Sequence, residues 1–499
     1  MSWGELTTKN ANDTKPTPLG LCDTAAVRRI EEELSVYTFR SVPVGAVIGN
    51  LLHDELWRGV GDWSMLGAFK NRARFAYHLL KPAWHPKRKA GAGSVCAGRI
   101  LLTCSGASAR LIELVEPVAR HLGAERCCLL CADHGTSVRW AGEYASCTWD
   151  ALTTGYDLSS WRKDFLDLWR KLWPVLQENV RRWGLPPRAR HRFAVYILLA
   201  TQRVVRAQVL LARTGARAVV ADHDRFYLWA PLVLVARTQG VPTFALMHGT
   251  FGAACAGYYP ILADTLFCWG ELQREMLAAV GAARERVVVA GCPRLTRGLP
   301  LTPVEARHKM GLDPKRPVVM LATAPYRLPL RRRLVEVFGE ALEGIGEWTG
   351  VVRLHSSERL EAYEELRARF PAIRFIANDE AALDVALAAT DVVVVHSSGF
   401  GSDALVKSRL TVVLDVIDLP LGHGQELIEY AGCPRATSSS ELAALLARLA
   451  RDEAERRRLR ESAERYVQRF CAYYGEESAQ RIAARVLEAA GEHGDHDWL

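Results

Sequence analysis

The alternation of short, β-branched apolar runs with longer amphipathic stretches constrains the fold of this chain more than any other feature. Strands that are apolar at consecutive positions are typical of sheets covered by helices on both faces. Strands alternating with helices indicate parallel α/β layers, so we predict doubly wound parallel sheets. The predicted strands are Arg99–Thr103, Ala216–Ala221, Thr243–Met247, Arg286–Ala290, Val318–Ala322, Val351–Leu354, Ile373–Ile376, Asp391–Val395 and Thr411–Asp415.

The chain divides near Gly298–Pro317, where GLPLTP and DPKRP bracket a short helical pattern, as in an interdomain linker. A length of 499 residues is enough for two α/β domains. We therefore predict an N-terminal helical extension over 1–95, a first α/β domain over 96–297, a second over 298–480 and a tail over 481–499. Ser439–Ala490 is predicted to be one long helical tract.

Composition excludes several classes of protein. The apolar fraction of 49% and the charged fraction of 24% are those of a globular chain, and a net charge of +8 over this length does not indicate a nucleic-acid partner. The first residues lack the pattern of a secretory signal, so we expect a cytoplasmic protein. Residues Thr238–Ala263 carry no charged side chain, but prolines and glycines interrupt them, which argues against a transmembrane helix.

The twelve cysteines are scattered, mostly within apolar runs, and we expect reduced thiols. Cys127, Cys128 and Cys131 form a CCxxC, but no second pair of ligands has metal spacing. We interpret this segment as a buried strand and predict no metal site.

The sharpest polar cluster follows the predicted strand Asp391–Val395. His396, Ser397, Ser398 and Gly399 come directly after the strand, and a helix is predicted to begin at about Ser402. Small residues let backbone N–H groups approach a ligand, and the N-terminus of a helix favours a phosphate. The sequence therefore predicts a phosphate-binding turn, although a plain strand-to-helix turn with Ser402 as N-cap has the same pattern.

The same segment spells G-x-G-x-x-A, which also occurs in dinucleotide-binding folds. Only one good strand follows it, so the remaining strands of such a fold are missing, and we do not favour this interpretation.

A second polar cluster follows the predicted strand Val351–Leu354 and contains Arg353, His355 and Ser356. Ligands of parallel sheets bind at the carboxyl ends of the strands, so we expect His355 and His396 on the same rim. Imidazole and guanidinium groups there would suit a pyrophosphate or a leaving phosphate.

In the first domain, Asp222, Asp224 and His248 follow the predicted strands Ala216–Ala221 and Thr243–Met247. Carboxylates and an imidazole at adjacent strand ends predict a general base for an incoming hydroxyl. The alternative for Asp222 is a cap of the helix that begins near Phe226. Six further turn residues are predicted to line the same cleft: Gly249, Thr250, Gly270, Glu271, Gly291 and Pro293.

Residues Trp161–Arg192 carry nine Lys or Arg against three Asp or Glu. Trp161, Phe165, Trp169 and Leu172 fall on one face of a predicted helix. A basic helix with such a face can lie on an anionic membrane, which would suit a lipid-linked acceptor. We favour the alternative, in which the stripe packs against the first sheet and the basic side chains face solvent.

The order of these motifs resembles that of GT-B glycosyltransferases. The segments are FALMHGTFG, ADTLFCWGELQREMLAAVGAARERVVVAGCPR, VVRLHSSE and ATDVVVVHSSGFGSDALVKSRLTVVLDV. The likeness covers about 215–420 and is to the branch that makes surface polysaccharides, including capsule and Kdo or sialic-acid-type transferases. The chain is also similar to glycerol-phosphate transferases of teichoic acid synthesis and, more distantly, to UDP-N-acetylglucosamine 2-epimerases.

The resemblance implies two Rossmann-like domains that face each other across a cleft, with extra N-terminal helices. In relatives with CMP- or CDP-activated donors, a His-Pro motif and a Ser-Ser motif bind the phosphates. Here the first is similar to His355–Ser356 and the second to Ser397–Ser398. Asp403 stands where the family usually has the Glu that holds the donor ribose. Gly291-Cys-Pro-Arg294 replaces the family's Gly-Asn-Pro turn.

The function implied by this resemblance is transfer of a sugar from a CMP- or UDP-type nucleotide donor to a hydroxyl of a glycan, lipid-linked or small-molecule acceptor. The nucleotide sugar is a co-substrate, and neither a metal ion nor another cofactor is expected. A nucleotide-sugar 2-epimerase-like enzyme and a degenerate GT-B binding subunit are the alternatives.

Overall fold

The computed structural model describes residues 24–56, 65–80, 96–140, 142–153, 157–252, 255, 257–324, 326–419 and 421–491. The strands are β1 Thr38–Phe39, β2 Val42–Pro43, β3 Ile100–Cys104, β4 Cys127–Cys131, β5 Ala145–Thr148, β6 Ala218–Ala221, β7 Thr243–Leu246, β8 Thr265–Cys268, β9 Val287–Val289, β10 Val318–Ala322, β11 Thr349–Arg353, β12 Arg374–Ile376, β13 Val392–Val395, β14 Leu410–Leu414 and β15 Arg435–Ala436.

Helices flank these strands throughout the described residues. They are α1 Thr24–Ser35, α2 Val44–Leu56, α3 Met65–Leu80, α4 Ala109–Leu122, α5 His134–Arg139, α6 Trp149–Leu152, α7 Leu158–Arg182, α8 Ala189–Thr214, α9 Trp229–Thr238, α10 Glu271–Ala279, α11 Pro303–Lys309, α12 Leu328–Glu343, α13 Glu364–Arg369, α14 Leu383–Ala389, α15 Gly399–Val406, α16 His423–Ala431, α17 Ser439–Arg451, α18 Glu453–Phe470 and α19 Gly475–Ala489.

Two parallel sheets form the framework, which confirms the predicted fold class. The first sheet has seven strands in the order β5-β4-β3-β6-β7-β8-β9, and the second has six in the order β12-β11-β10-β13-β14-β15. All nine predicted strands are present, and β10 has the predicted bounds. The linker helix α11 lies inside the predicted boundary segment.

The C-terminal tract differs from the prediction of one long helix. Asp452 ends α17 and caps α18 through a hydrogen bond from the Glu455 backbone N–H (2.9 Å). After α18 the chain returns to the first domain, where Ile482 and Val486 of α19 share a core with Ile100 of β3. The boundary predicted at 480 therefore lies inside a helix that packs on the first domain.

The described part of the predicted N-terminal extension belongs to the core of the first domain. Glu31 of α1 accepts two hydrogen bonds from Arg225, at 2.7 and 3.0 Å, and both side chains are only 4% exposed. Leu34 and Ile48 lie in the same hydrophobic core as Val219 of β6. The extension is therefore tied to the first sheet by packing and by a buried ion pair.

The aromatic stripe of α7 is buried. Trp161, Phe165 and Leu172 are 0% exposed, and the Trp161 indole N–H donates to Thr201 of α8 (3.1 Å). The favoured alternative holds in that the stripe is covered by protein, but the covering elements include the helix α8 rather than the sheet alone. Membrane contact through this stripe is therefore excluded. Helix α8 itself is long and apolar enough to cross a bilayer, but 72% of its most apolar window is buried, as in a core helix.

The sulfur chemistry of the first domain differs from the expectation of reduced thiols throughout. Cys128 lies on β4, as the buried-strand interpretation requires, and forms a disulfide with Cys96. Cys147 Sγ lies 3.3 Å from Cys96 Sγ, and all three residues are buried.

Candidate active site

The carboxyl ends of the two sheets approach each other at Gly399, the first residue of α15. A β-carbon at this position would lie 3.0 Å from both Arg110 Nη2 and Thr250 Oγ1, which belong to the first domain. Only a glycine lets the second-domain turn come this close without displacing those side chains. The predicted phosphate-binding turn therefore lies against the predicted acceptor domain.

Ser398, rather than Ser402, is the N-cap of α15. Its Oγ accepts a hydrogen bond from the Phe400 backbone N–H (3.3 Å), whereas Ser402 is fully buried inside the helix. Ser397 Oγ accepts from the backbone N–H of His423 (3.1 Å). The half-buried turn thus presents a helix N-terminus beside the Arg110 guanidinium, an arrangement that suits an anion.

His355 lies in the loop after β11 with its side chain oriented by Ser357. Its Nδ1 accepts a hydrogen bond from the Ser357 backbone N–H (3.2 Å), so the network assigns the ring proton to Nε2. Burial, with the nearby Arg110 and Arg331 charges, lowers the pKa of His355 below its ordinary value. A neutral imidazole with a free Nε2–H can donate to a phosphate at pH 7. Ser356, beside it, is exposed.

Two residues predicted on the same rim are instead enclosed in the second domain. Arg353 is 5% exposed and donates to the Ala381 and Asn378 carbonyl oxygens (2.8 and 3.0 Å). His396 is 1% exposed, and its Nδ1 contacts the Leu414 carbonyl oxygen (3.1 Å). The phosphate-binding roles predicted for Arg353 and His396 do not fit these contacts.

Asp403 is engaged in a buried ion pair with Arg294. Arg294 Nη2 and Nη1 donate to the two carboxylate oxygens at 3.0 and 3.2 Å, and the two side chains are 3% and 5% exposed. Burial by itself raises the pKa of the Asp403 carboxyl, but the Arg294 and Arg110 charges hold it below its ordinary value. Both oxygens are occupied in this arrangement, so ribose binding by Asp403, as predicted from the resemblance, would require Arg294 to move.

The two carboxylates predicted as general bases hold loops of the first domain. Asp222 is 0% exposed and accepts from Thr103 Oγ1 (2.6 Å), from the Ser105 backbone N–H (2.7 Å) and from Ser105 Oγ (2.9 Å). Asp224 is 2% exposed and accepts from the backbone N–H groups of Leu262 and Ala263 (2.7 and 3.0 Å). Neither oxygen pair reaches the cleft, so these residues position the site rather than deprotonate a substrate.

His248 is the predicted base that does lie at the cleft. Tyr258 OH donates to the Gly249 carbonyl oxygen (3.0 Å) and lies 3.1 Å from His248 Nδ1, which assigns the Nδ1 proton to the bond with Tyr258. Nε2 then carries a lone pair. Burial, followed by the His223, Arg110 and Arg294 charges, holds the pKa of His248 well below its ordinary value.

Three of the turn residues predicted for the cleft contact the segment between α18 and α19 instead. A β-carbon on Gly270 would lie 2.2 Å from the Arg469 carbonyl oxygen, and one on Gly291 would lie 2.1 Å from the Tyr473 carbonyl oxygen. Glu271 opens α10 after Gly270 and pairs with Arg274. These residues join the returning chain to the first domain.

The other three are placed differently. Gly249 and Thr250 lie at the cleft, where Gly249 donates its backbone N–H to Tyr258 OH (2.8 Å) and Thr250 approaches Gly399. Pro293 is buried next to Arg294.

Sequence reasoning missed Arg110 and Glu113, which lie in the first turns of α4. Partial burial raises the pKa of Glu113; the Arg294 charge opposes this shift, while Asp384 of the second domain adds to it. The signal that could have found them is the small-residue turn Ser105–Ser108 after the first predicted strand, which has the same pattern as the turn at Ser397–Gly399.

Two parallel sheets with flanking helices, facing each other at their carboxyl edges, define a GT-B fold. The S. aureus MnaA–UDP co-structure shares it at a TM-score of 0.50 with 13% identity, over 80% of this chain and 100% of that chain.

Two further structures superpose less closely. Anabaena Alr3699/HepE in complex with UDP-glucose has a TM-score of 0.47 and 12% identity, over 78% of this chain and 99% of that chain. A glycosyltransferase from Rickettsia africae has a TM-score of 0.45 and 10% identity, over 80% and 100%. No protein-family model matches the chain, and no curated protein matches it in sequence. The likeness at these identities concerns the fold.

Proposed function

We propose that this protein is a glycosyltransferase that moves a sugar from a CMP- or UDP-type donor to a hydroxyl acceptor in glycan or glycoconjugate assembly. The observation that carries the proposal is the meeting of an anion-binding turn with an unprotonated imidazole. The turn at Ser397–Gly399 with Arg110 lies on one side of the cleft, and His248 lies on the other. The GT-B fold shared with a protein crystallised with UDP supports a nucleotide donor.

In this mechanism the second domain binds the donor phosphates. The N-terminus of α15 and the Ser397 and Ser398 hydroxyls receive the phosphate oxygens, and the His355 Nε2–H donates to them. As the bond from the sugar to the phosphate breaks, negative charge grows on the phosphate. Donors already aimed at that charge stabilise the transition state more than the ground state. Arg110 contributes a positive charge from the first domain.

The acceptor hydroxyl is deprotonated by His248 in this proposal. A base must be unprotonated at the working pH, and the lowered pKa of His248 meets that condition. Its Nδ1 remains fixed by Tyr258, which keeps Nε2 directed away from that bond. Asp222 acts indirectly, because it holds Ser105 in the turn that leads into α4 and Arg110.

The second candidate is a binding subunit without turnover, and the Asp403–Arg294 pair is the observation that favours it. A carboxylate neutralised by a buried guanidinium is not available to a ribose. In an epimerase the same cleft would convert the donor without an acceptor, so the dependence of nucleotide release on the acceptor separates that class.

The test is a thermal-shift titration with CMP, UDP, GDP and TDP, each with magnesium and with chelator, followed by turnover assays with donors of the stabilising nucleotide. Ligand binding raises the melting temperature by mass action. We expect His355→Ala to lower turnover by about 10²-fold through lost stabilisation of the leaving phosphate. The matched control is His308→Ala, on the exposed side of α11. Unchanged turnover in His355→Ala would overturn this assignment, and no stabilisation by any nucleotide would overturn the nucleotide donor.

A further inference from the structure

Helix α3 (Met65–Leu80) packs on the protein with one face only. Asn71 is 6% exposed, and the Phe75 ring lies 5.0 Å from the Trp169 ring and 6.0 Å from the Phe165 ring of α7. The helix therefore helps to cover the aromatic stripe that was the sequence-based candidate for membrane contact. Its inner face is fully accounted for by these contacts with α7 and by packing against α8.

The opposite face of α3 is apolar and exposed. Met65 is 69% exposed and Phe69 70%, and Tyr77, three turns from Met65, is 55% exposed. At 100° per residue these positions, with exposed Ala73 and Ala76 between them, lie on the side away from Asn71. Exposed aromatic and Met side chains aligned along one helix face are unlike the scattered apolar residues of an ordinary surface.

Cations border this apolar face on both sides. Lys70 and Arg74 are exposed along one border and Arg72 along the other. The sequence contains no Asp or Glu between Asp62 and Glu113, while nine Lys or Arg fall in that interval. The region around the helix is therefore uniformly positive.

We propose that the outer face of α3 is a docking surface for an anionic lipid bilayer. Met65 and Phe69 would enter the boundary between headgroups and acyl chains, and the flanking cations would contact lipid phosphates. The bilayer is favoured over other occupants by charge complementarity: the apolar stripe is bordered on both sides by cations, as a flat anionic surface requires. An acidic protein and a second copy of this chain are the competing occupants.

The experiment is co-sedimentation of the full-length protein with vesicles of phosphatidylglycerol and phosphatidylcholine, and with vesicles of phosphatidylcholine alone. We expect binding to the anionic vesicles that weakens as salt is raised. Lys70→Glu/Arg74→Glu should weaken it by about 25-fold or more, since each cation near an anionic surface contributes about fivefold. Phe69→Asp should weaken binding at both low and high salt.

The matched control is Lys163→Glu/Lys171→Glu, which reverses two exposed charges on the other basic helix, α7. It should bind anionic vesicles within about twofold of the unmodified protein. The proposal is overturned if the unmodified protein does not sediment with anionic vesicles, or if the control loses binding as much as Lys70→Glu/Arg74→Glu. Self-association abolished by Phe69→Asp, without vesicle binding, would assign the face to a second copy instead. All the substituted side chains are exposed, and the far-ultraviolet circular dichroism of each variant checks that it is folded.

Discussion

Replacing Asp403 by Asn decides between an ion pair that stabilises the fold and a carboxylate kept for a ligand. The variant keeps the shape of the side chain but leaves the Arg294 charge without its anion. Because the two side chains are 3% and 5% exposed, water cannot replace the lost partner. Removing one partner of a buried pair costs about 3–5 kcal/mol of the free energy of unfolding. We expect that loss at pH 7.

The measurement is urea-induced unfolding followed by tryptophan fluorescence. Glu464→Gln is the control, because it breaks a pair with Arg297 whose side chains are 47% and 43% exposed, and it should cost at most about 1 kcal/mol. The double variant Asp403→Leu/Arg294→Met removes both charges and should recover most of the stability lost in Asp403→Asn.

The pH dependence gives an independent check. The pKa of Asp403 is lowered in the folded protein, so the stabilisation is complete above the unfolded-state pKa of about 3.9 and is lost as the pH falls through the folded-state pKa. The difference between the unmodified protein and Asp403→Asn should therefore be constant near pH 7 and shrink below about pH 4. A variant within about 1 kcal/mol of the unmodified protein that has lost nucleotide binding would refute the ion-pair argument and make Asp403 a ligand residue.

Three further outcomes test the site and its support. The acidic limb of the rate profile should have its midpoint below 6.5, because burial and neighbouring cations lower the pKa of the His248 base, and it should disappear in His248→Gln; a midpoint above 6.5 would contradict this. Gly399→Ala should weaken nucleotide binding by tenfold or so, since its β-carbon meets two side chains at 3.0 Å, whereas Gly298→Ala, with nothing within 4 Å, should bind normally in the same titration. Glu31→Gln should lower the free energy of unfolding by about 3 kcal/mol by leaving buried Arg225 unpaired, and a loss below about 1 kcal/mol would show that the first helix is not anchored by this pair.

Several features of the protein are predictable from the sequence because they depend on local patterns. Consecutive β-branched residues, as in Val392–Val395, form strands buried on both faces wherever they occur in such a sheet. The turn at Ser397–Gly399 follows from small residues between a strand and a helix, and the linker around α11 follows from its prolines.

Partners distant in the chain are decided only by the tertiary structure. Asp222 and Asp224 have the sequence pattern of catalytic acids, and only the packing of Thr103, Ser105 and the loop at Leu262 shows that their oxygens are occupied. The same is true of Arg353 and His396, because burial is a property of the neighbours and not of the residue itself.

The roles of the two basic helices show the same division. The sequence by itself determined that each helix has an apolar stripe beside basic residues, since the 3.6-residue period is encoded locally. Which stripe faces the protein was decided by the tertiary structure: Phe165 of α7 is buried beneath Phe75, while Phe69 of α3 faces outward. A helix pattern specifies that an apolar face needs covering, and only the fold supplies what covers it.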